Sequence, residues 1–224
     1  MADWIPASGS GHPLEALDGA PLEGVTLEVT LGPRNRYGAT YFKASLRDAT
    51  GNASQPFLLA LHSSGPYPAF NWIEIITLNR DADLPNGTLT PSDTGVQQLF
   101  NRLSALIPPG GHLMAEYESD GWSETRRGLA CGIPPVATPL GDAMFHAGCG
   151  IAFKDWHFAE GGIEGPRKLQ GYKPLDDGHR LARAADMRTE IESFIDSQTK
   201  SGCRDLWEAA IERANKILSE LPPA

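Results

Sequence analysis

Apolar and polar positions alternate strictly over residues 25–31 (VTLEVTL), which predicts a strand with one buried face. The alternation returns over residues 41–47, where Phe42, Ala44 and Leu46 share a face, and a further strand is expected over residues 56–62. Asp48, Gly51 and Asn52 between those runs read as a turn. Links this short cannot carry a parallel crossover, so these strands are expected as an antiparallel meander. Residues 72–78 (WIEIITL) are apolar enough for a central fourth strand, and residues 112–118 (HLMAEYE) give a fifth.

Between those two strands the period changes to that of a helix. Val96, Leu99, Phe100, Leu103, Leu106 and Ile107 follow a start at Thr90-Pro91 with Asp93 in the first turn, and the run stops at Pro108-Pro109-Gly110-Gly111. A strand, helix, strand order implies that the fourth and fifth strands run parallel. Thr138-Pro139 repeats the helix start, with Leu140, Met144 and Phe145 on its apolar face, and residues 151–158 read as a sixth strand. Beyond Pro174 two amphipathic helices are expected. Leu181, Ala184, Ala185, Ile191, Phe194 and Ile195 mark the first. Leu206, Trp207, Ala210, Ile211, Ala214, Ile217, Leu218 and Leu221 mark the second, and Gly202 separates them. The fold class expected is α+β: a mixed, mainly antiparallel sheet with flanking helices over residues 25–174, a C-terminal helical hairpin over 175–224, and a loosely ordered lead-in over 1–24.

Composition narrows the partners. A formal charge of −9 without a Lys/Arg run argues against nucleic acid, whose phosphates require a clustered basic face. No apolar run is long enough to span a bilayer, and no basic segment followed by an apolar one marks a signal peptide. Three cysteines without CxxC spacing suit reduced thiols in the cytoplasm, and six scattered histidines signal no metal site. The expected partner is a small-molecule ligand, with homodimerisation a role open to the hairpin.

Residues 128–174 stand apart. Glycine and proline recur every few positions among Phe145, Phe153, Trp156, Phe158 and Tyr172 and charges of both signs, a composition suited to site-forming loops and equally to ordinary structural turns. Glu116 and Glu118, two apart on a strand, share one face; mutual repulsion there would raise one carboxyl and supply a general base. Asp155 and His157 pair likewise on the sixth strand, opposite Trp156, as candidates for acid–base work. Glu74 within an apolar strand demands a partner. Glu160, Glu164, Arg167 and Lys168 offer both signs to a zwitterionic substrate.

The order of meander, central strand, helix, strand, short helix and strand resembles the GNAT-type acyltransferases. That resemblance implies acyl-coenzyme A lodged between the parallel strands, its pyrophosphate on the amides of Ser92, Thr94 and Gly95, with Glu116 or Glu118 as base toward a small amine. A second resemblance, in the Pro108-Pro109-Gly110-Gly111 turn and the strand after it, is to S-adenosylmethionine-dependent methyltransferases; it implies an early strand, Gly-rich loop and helix around Leu27 to Ala44. A Gly/Pro/aromatic loop also suits a non-catalytic binding module. At the level of longer segments, GIPPVATPLG, FKDWHFAEGGIEG and KLQGYKP look like a prokaryotic family of uncharacterised proteins, domain of unknown function family 1122, for which no activity is implied.

Overall fold

Alternation at residues 25–62 builds the meander that the pattern predicts. In the computed structural model, which describes residues 5–6, 13–34, 39–62, 72–76, 78, 88–89, 92–117, 122–152, 168–197 and 202–223, β3 (Val25–Arg34), β4 (Ala39–Asp48) and β5 (Phe57–His62) pair antiparallel in sequence. Short strands β1 (Ile5–Pro6) and β2 (Pro21–Leu22) both pair with β3. Among the described residues of the lead-in, Ile5–Pro6 and Pro21–Leu22 thus pair with the sheet, and Leu14 and Leu17 of the 3-10 turn Pro13–Leu17 enter the core.

β6 (Trp72–Ile76) joins β5 antiparallel, and β7 (His112–Glu116) joins β6 in parallel, as the intervening helix requires. That helix is α1 (Asp93–Leu106), and its cap is Ser92 rather than Thr90. The Ser92 hydroxyl accepts the Gly95 N–H at 3.0 Å, so the first turn begins two residues later than the Thr-Pro pair suggests. α2 (Ser123–Cys131) follows β7, and α3 (Pro139–His146) starts at Thr138 as expected, with Thr138 Oγ1 accepting the Gly141 N–H at 3.2 Å.

The sheet then turns back on itself. β8 (Gly150–Ala152) begins the expected sixth strand, whose residues 153–158 lie outside the described ones, and β9 (Lys168–Tyr172) inserts between β7 and β8, antiparallel to both. The sheet order is β1-β3-β4-β5-β6-β7-β9-β8. Alternation assigns its two faces. Leu27, Phe42, Leu59, Ile73, Leu113 and Leu169 are fully buried against Leu99, Phe100 and Leu103 of α1 and Leu140 and Met144 of α3. The residues between them in sequence point to the second face.

α4 (Asp177–Ile195) and α5 (Arg204–Glu220) form the expected hairpin and enclose a separate apolar cluster. Ala184, Met187, Ile191 and Phe194 of α4 meet Trp207, Ala210, Ala214 and Ile217 of α5 over Ile133, Val136 and Ala137. Leu181, expected on the buried face, is 49% exposed, because the buried stripe begins one turn later at Ala184. A further departure concerns the thiols: Cys131 and Cys203, 72 residues apart, form a disulfide between the end of α2 and the N-cap of α5. Spacing could not show this pair, since the fold brings it together through tertiary contacts. Among the described residues no helix is long and apolar enough to cross a membrane.

Candidate active site on the second face of the sheet

Central strands of a sheet bury both faces, so a polar residue there requires a partner. On β6 the residues alternating with Ile73 and Ile75 are Trp72, Glu74 and Ile76, and they stand on the face away from α1. In register beside them lie His62 on β5, His112, Met114 and Glu116 on β7, and Lys168, Gln170 and Tyr172 on β9. Glu74, Glu116 and Gln170 are each buried, at 4–6% exposure, so this face is polar in chemistry and largely closed to solvent.

Glu74 is the hub. Its Oε2 lies 2.9 Å from Nε2 of His62, and its Oε1 forms an ion pair with the Lys168 ammonium. Burial works against ionisation of this carboxyl, yet the His62 hydrogen bond and the Lys168 charge outweigh it and hold the group below its ordinary value of 4.5. Glu74 is therefore an anion that orients its neighbours, and it is a weak proton acceptor. Glu116 is the register partner of Lys168 on the neighbouring strand. Gln170, between Met114 and Ala152 in register, has an Oε1 with no hydrogen-bond partner among the described residues. A buried acceptor left in that condition costs about 1–3 kcal/mol, and it is complementary to any ligand donor placed over it.

A row of rings borders this polar patch. His62 stacks on Trp72 at 4.8 Å, Trp72 on His112 at 5.1 Å, and His112 meets Tyr172 at 5.3 Å in a tilted contact. Arg183 of α4 lies over the Tyr172 ring, 5.9 Å from its centre. The row fixes the His62 ring, and Glu74 fixes which of its nitrogens faces inward.

Of the residues singled out in the sequence, the fold brings Glu116 and Lys168 together with Glu74. Glu118, Asp155, Trp156, His157, Glu160, Glu164 and Arg167 lie outside the described residues. Ser92, Thr94 and Gly95 sit at the start of α1, on the opposite side of the sheet, where Gly95 is buried near the Glu23 carbonyl. The Gly95 N–H is committed to Ser92 Oγ, and Asp93 places a carboxylate in the same turn, so these residues do not fit a pyrophosphate. Sequence reasoning missed His62, His112 and Gln170, and it named Tyr172 only as an aromatic of the 128–174 segment. The signal available was alternation within KLQGYKP, which sets Lys168, Gln170 and Tyr172 on one face once that segment is read as a strand. Cys149 is no nucleophile: it is 2% exposed, burial pushes its thiol up, and its Sγ lies 3.7 Å from Ser104 Oγ.

Comparison with known proteins agrees with this architecture and names no activity. A search of curated proteins finds no match. A crystal structure of a protein of unknown function from Aquifex aeolicus VF5, AQ1966, is similar with a TM-score of 0.63 and 25% identity, over 88% of this chain and 93% of that one. Residues 57–198, from β5 to just past α4, match the family described as protein of unknown function (DUF1122). That span covers well over half of the chain and every residue of the polar patch, and the chain belongs to this family of proteins of unknown function.

Proposed function

We propose that the second face of the sheet binds a small amine and that the chain is a transferase of the acyl-transfer kind, or a diverged relative of one. The observation that supports this reading is the buried polar set Glu74, Glu116, Lys168 and Gln170, seated across the parallel β6–β7 pair on the side opposite α1. Among the described residues the patch holds the Glu74 and Glu116 carboxylates and the Lys168 ammonium, and carboxylate and Gln170 acceptors are suited to the N–H donors of an amine. In this reading Glu116 is the acid–base residue toward the amine. Glu74 stays ionised, and it positions His62 and Lys168.

The start of α1, with the Gly95 N–H committed to Ser92 and Asp93 in the same turn, does not fit the pyrophosphate of coenzyme A. The methyltransferase reading loses its support in the early chain: β3 and β4 form an antiparallel hairpin where it requires strand, Gly-rich loop and helix. A non-catalytic small-molecule binding module is favoured as a second reading by the α1 misfit itself.

The test combines a thermal-shift titration with a thiol-release assay, using acetyl-coenzyme A, S-adenosylmethionine and a panel of small primary amines. The acyl-transfer reading expects amine-dependent thiol release that falls roughly 100-fold or more in Glu116→Gln. A thermal shift with amines alone, lost in Glu116→Gln and without thiol release from any donor, selects the binding module. No response to any amine sinks both readings.

A further inference from the structure

We propose that the Cys131–Cys203 bond is an exchangeable disulfide, a thiol switch that fastens the C-terminal helical hairpin to the body of the protein. The bond joins α2, whose Leu129 packs on the sheet cluster, to the N-cap of α5 in the hairpin; Cys131, the last residue of α2, lies against the hairpin cluster to which Cys203 belongs. The family match ends at residue 198, so one sulfur lies inside the shared region and the other in the segment after it.

The two sulfurs are unequal. Cys131 is half-buried, and Cys203 is 9% exposed, so an incoming thiolate reaches Cys131 first. The leaving sulfur is then Cys203, at the N-terminus of a 17-residue helix whose cap has no side-chain hydrogen bond. A thiolate released there meets the unpaired first-turn N–H groups and the positive end of the helix, which stabilise it as a leaving group. Asp205 in the same turn is held 3.5 Å from Arg127, which offsets its charge. An open depression lined by Gly202, Arg204, Asp205 and Glu208 lies directly alongside the Cys203 end of the bond.

The chemistry balances with a dithiol or glutathione as reductant. A thiolate attacks Cys131 Sγ, the Cys131–Cys203 S–S bond breaks, and Cys203 leaves as a thiolate that takes up a proton. A second thiol attacks the reductant's sulfur in the mixed disulfide and releases Cys131. Two electrons and two protons reach the protein, and the reductant leaves as its own disulfide. Reduction removes the covalent tie between the first turn of α5 and α2 and leaves the Arg127–Asp205 and Arg213–Glu124 ion pairs to hold the two helices. The partner helix α4 carries Arg183 over Tyr172, so the state of the bond bears on one end of the ring row at the candidate site.

The test uses the full chain equilibrated in glutathione buffers graded from fully oxidised to fully reduced, then acid-quenched, denatured and mass-tagged with maleimide. The expected result is one tagged thiol, Cys149, in oxidised buffer and three in reduced buffer, with the change completed while circular dichroism still reports the native fold. Trypsin cleavage after Arg204 and Arg213 should be roughly tenfold faster in the reduced form, with the sheet left intact. In Cys203→Ser the glutathione adduct should collect on Cys131. Three free thiols at every ratio, or a bond that resists reduced glutathione until the protein unfolds, overturns the switch. An adduct forming only on Cys203, in Cys131→Ser, overturns the assignment of the attacked sulfur.

Discussion

Glu74 is a buried anion with two partners, His62 and Lys168, and a side-chain exposure of 6%. Replacing it with glutamine removes the carboxylate that Lys168 pairs with directly. Breaking one partner of a buried pair costs about 3–5 kcal/mol, so Glu74→Gln should lower the melting temperature by roughly 10 °C, read by calorimetry. The same carboxyl titrates below its ordinary value in the native state. Its contribution is therefore complete above a pH of about 4.5 and is lost as pH falls through the lower native value. Urea titrations at successive pH values should show a shallower acid decline in Glu74→Gln than in the parent. A backbone contact sets the other residue-scale prediction. A methyl group at Gly141 would stand 1.8 Å from the Pro135 carbonyl oxygen, and no side-chain rotation relieves a clash with backbone. Gly141→Ala should shift α3 and the Pro135–Ala137 turn apart, at a cost of about 1–3 kcal/mol in denaturant unfolding.

Helix and strand signals were legible wherever a period ran for seven or more residues. The alternation at 25–31 and 41–47, the apolar stripe of α1 and the two C-terminal helices all came through, and so did the parallel relation of β6 and β7. Among the longer elements, α2 and β9 did not. α2 reads SETRRGLAC, with Thr125 and Gly128 as its buried residues, so its packing face shows no hydrophobic stripe. β9 reads KLQGY, where a glycine interrupts the run because a Cβ at Gly171 would meet Cys149 Cβ at 2.8 Å. The candidate site shared that fate: Glu116 and Lys168 were visible as charges, but their meeting with Glu74 and Gln170 depends on β9 lying next to β7. The disulfide was illegible for the same reason, and it matters at this scale. Closing a loop of 72 residues is worth about 4 kcal/mol in the chain-entropy account, so Cys203→Ser should lower the melting temperature by about 10 °C under oxidising conditions. Under reducing conditions the parent and the variant should melt together.

The described residues form two apolar clusters, one under the sheet and one inside the hairpin, and Ile133, Val136 and Ala137 of the turn before α3 belong to the hairpin cluster. Separate clusters open separately. Native-state hydrogen exchange should show α4 and α5 exchanging through a local opening of lower free energy than the amides of β4 to β7, and the gap should widen on reduction of the disulfide. The insertion of β9 has a further consequence, for synthesis. β7 is made more than fifty residues before the strand that covers its free side. A chain emerging from the ribosome thus presents an uncovered β7 edge until residues 168–172 arrive. Over the same interval Glu74 waits for Lys168. That window is when an unpaired edge recruits other chains, so aggregation during expression should depend on translation speed between β7 and β9 more than on the stability of the finished fold.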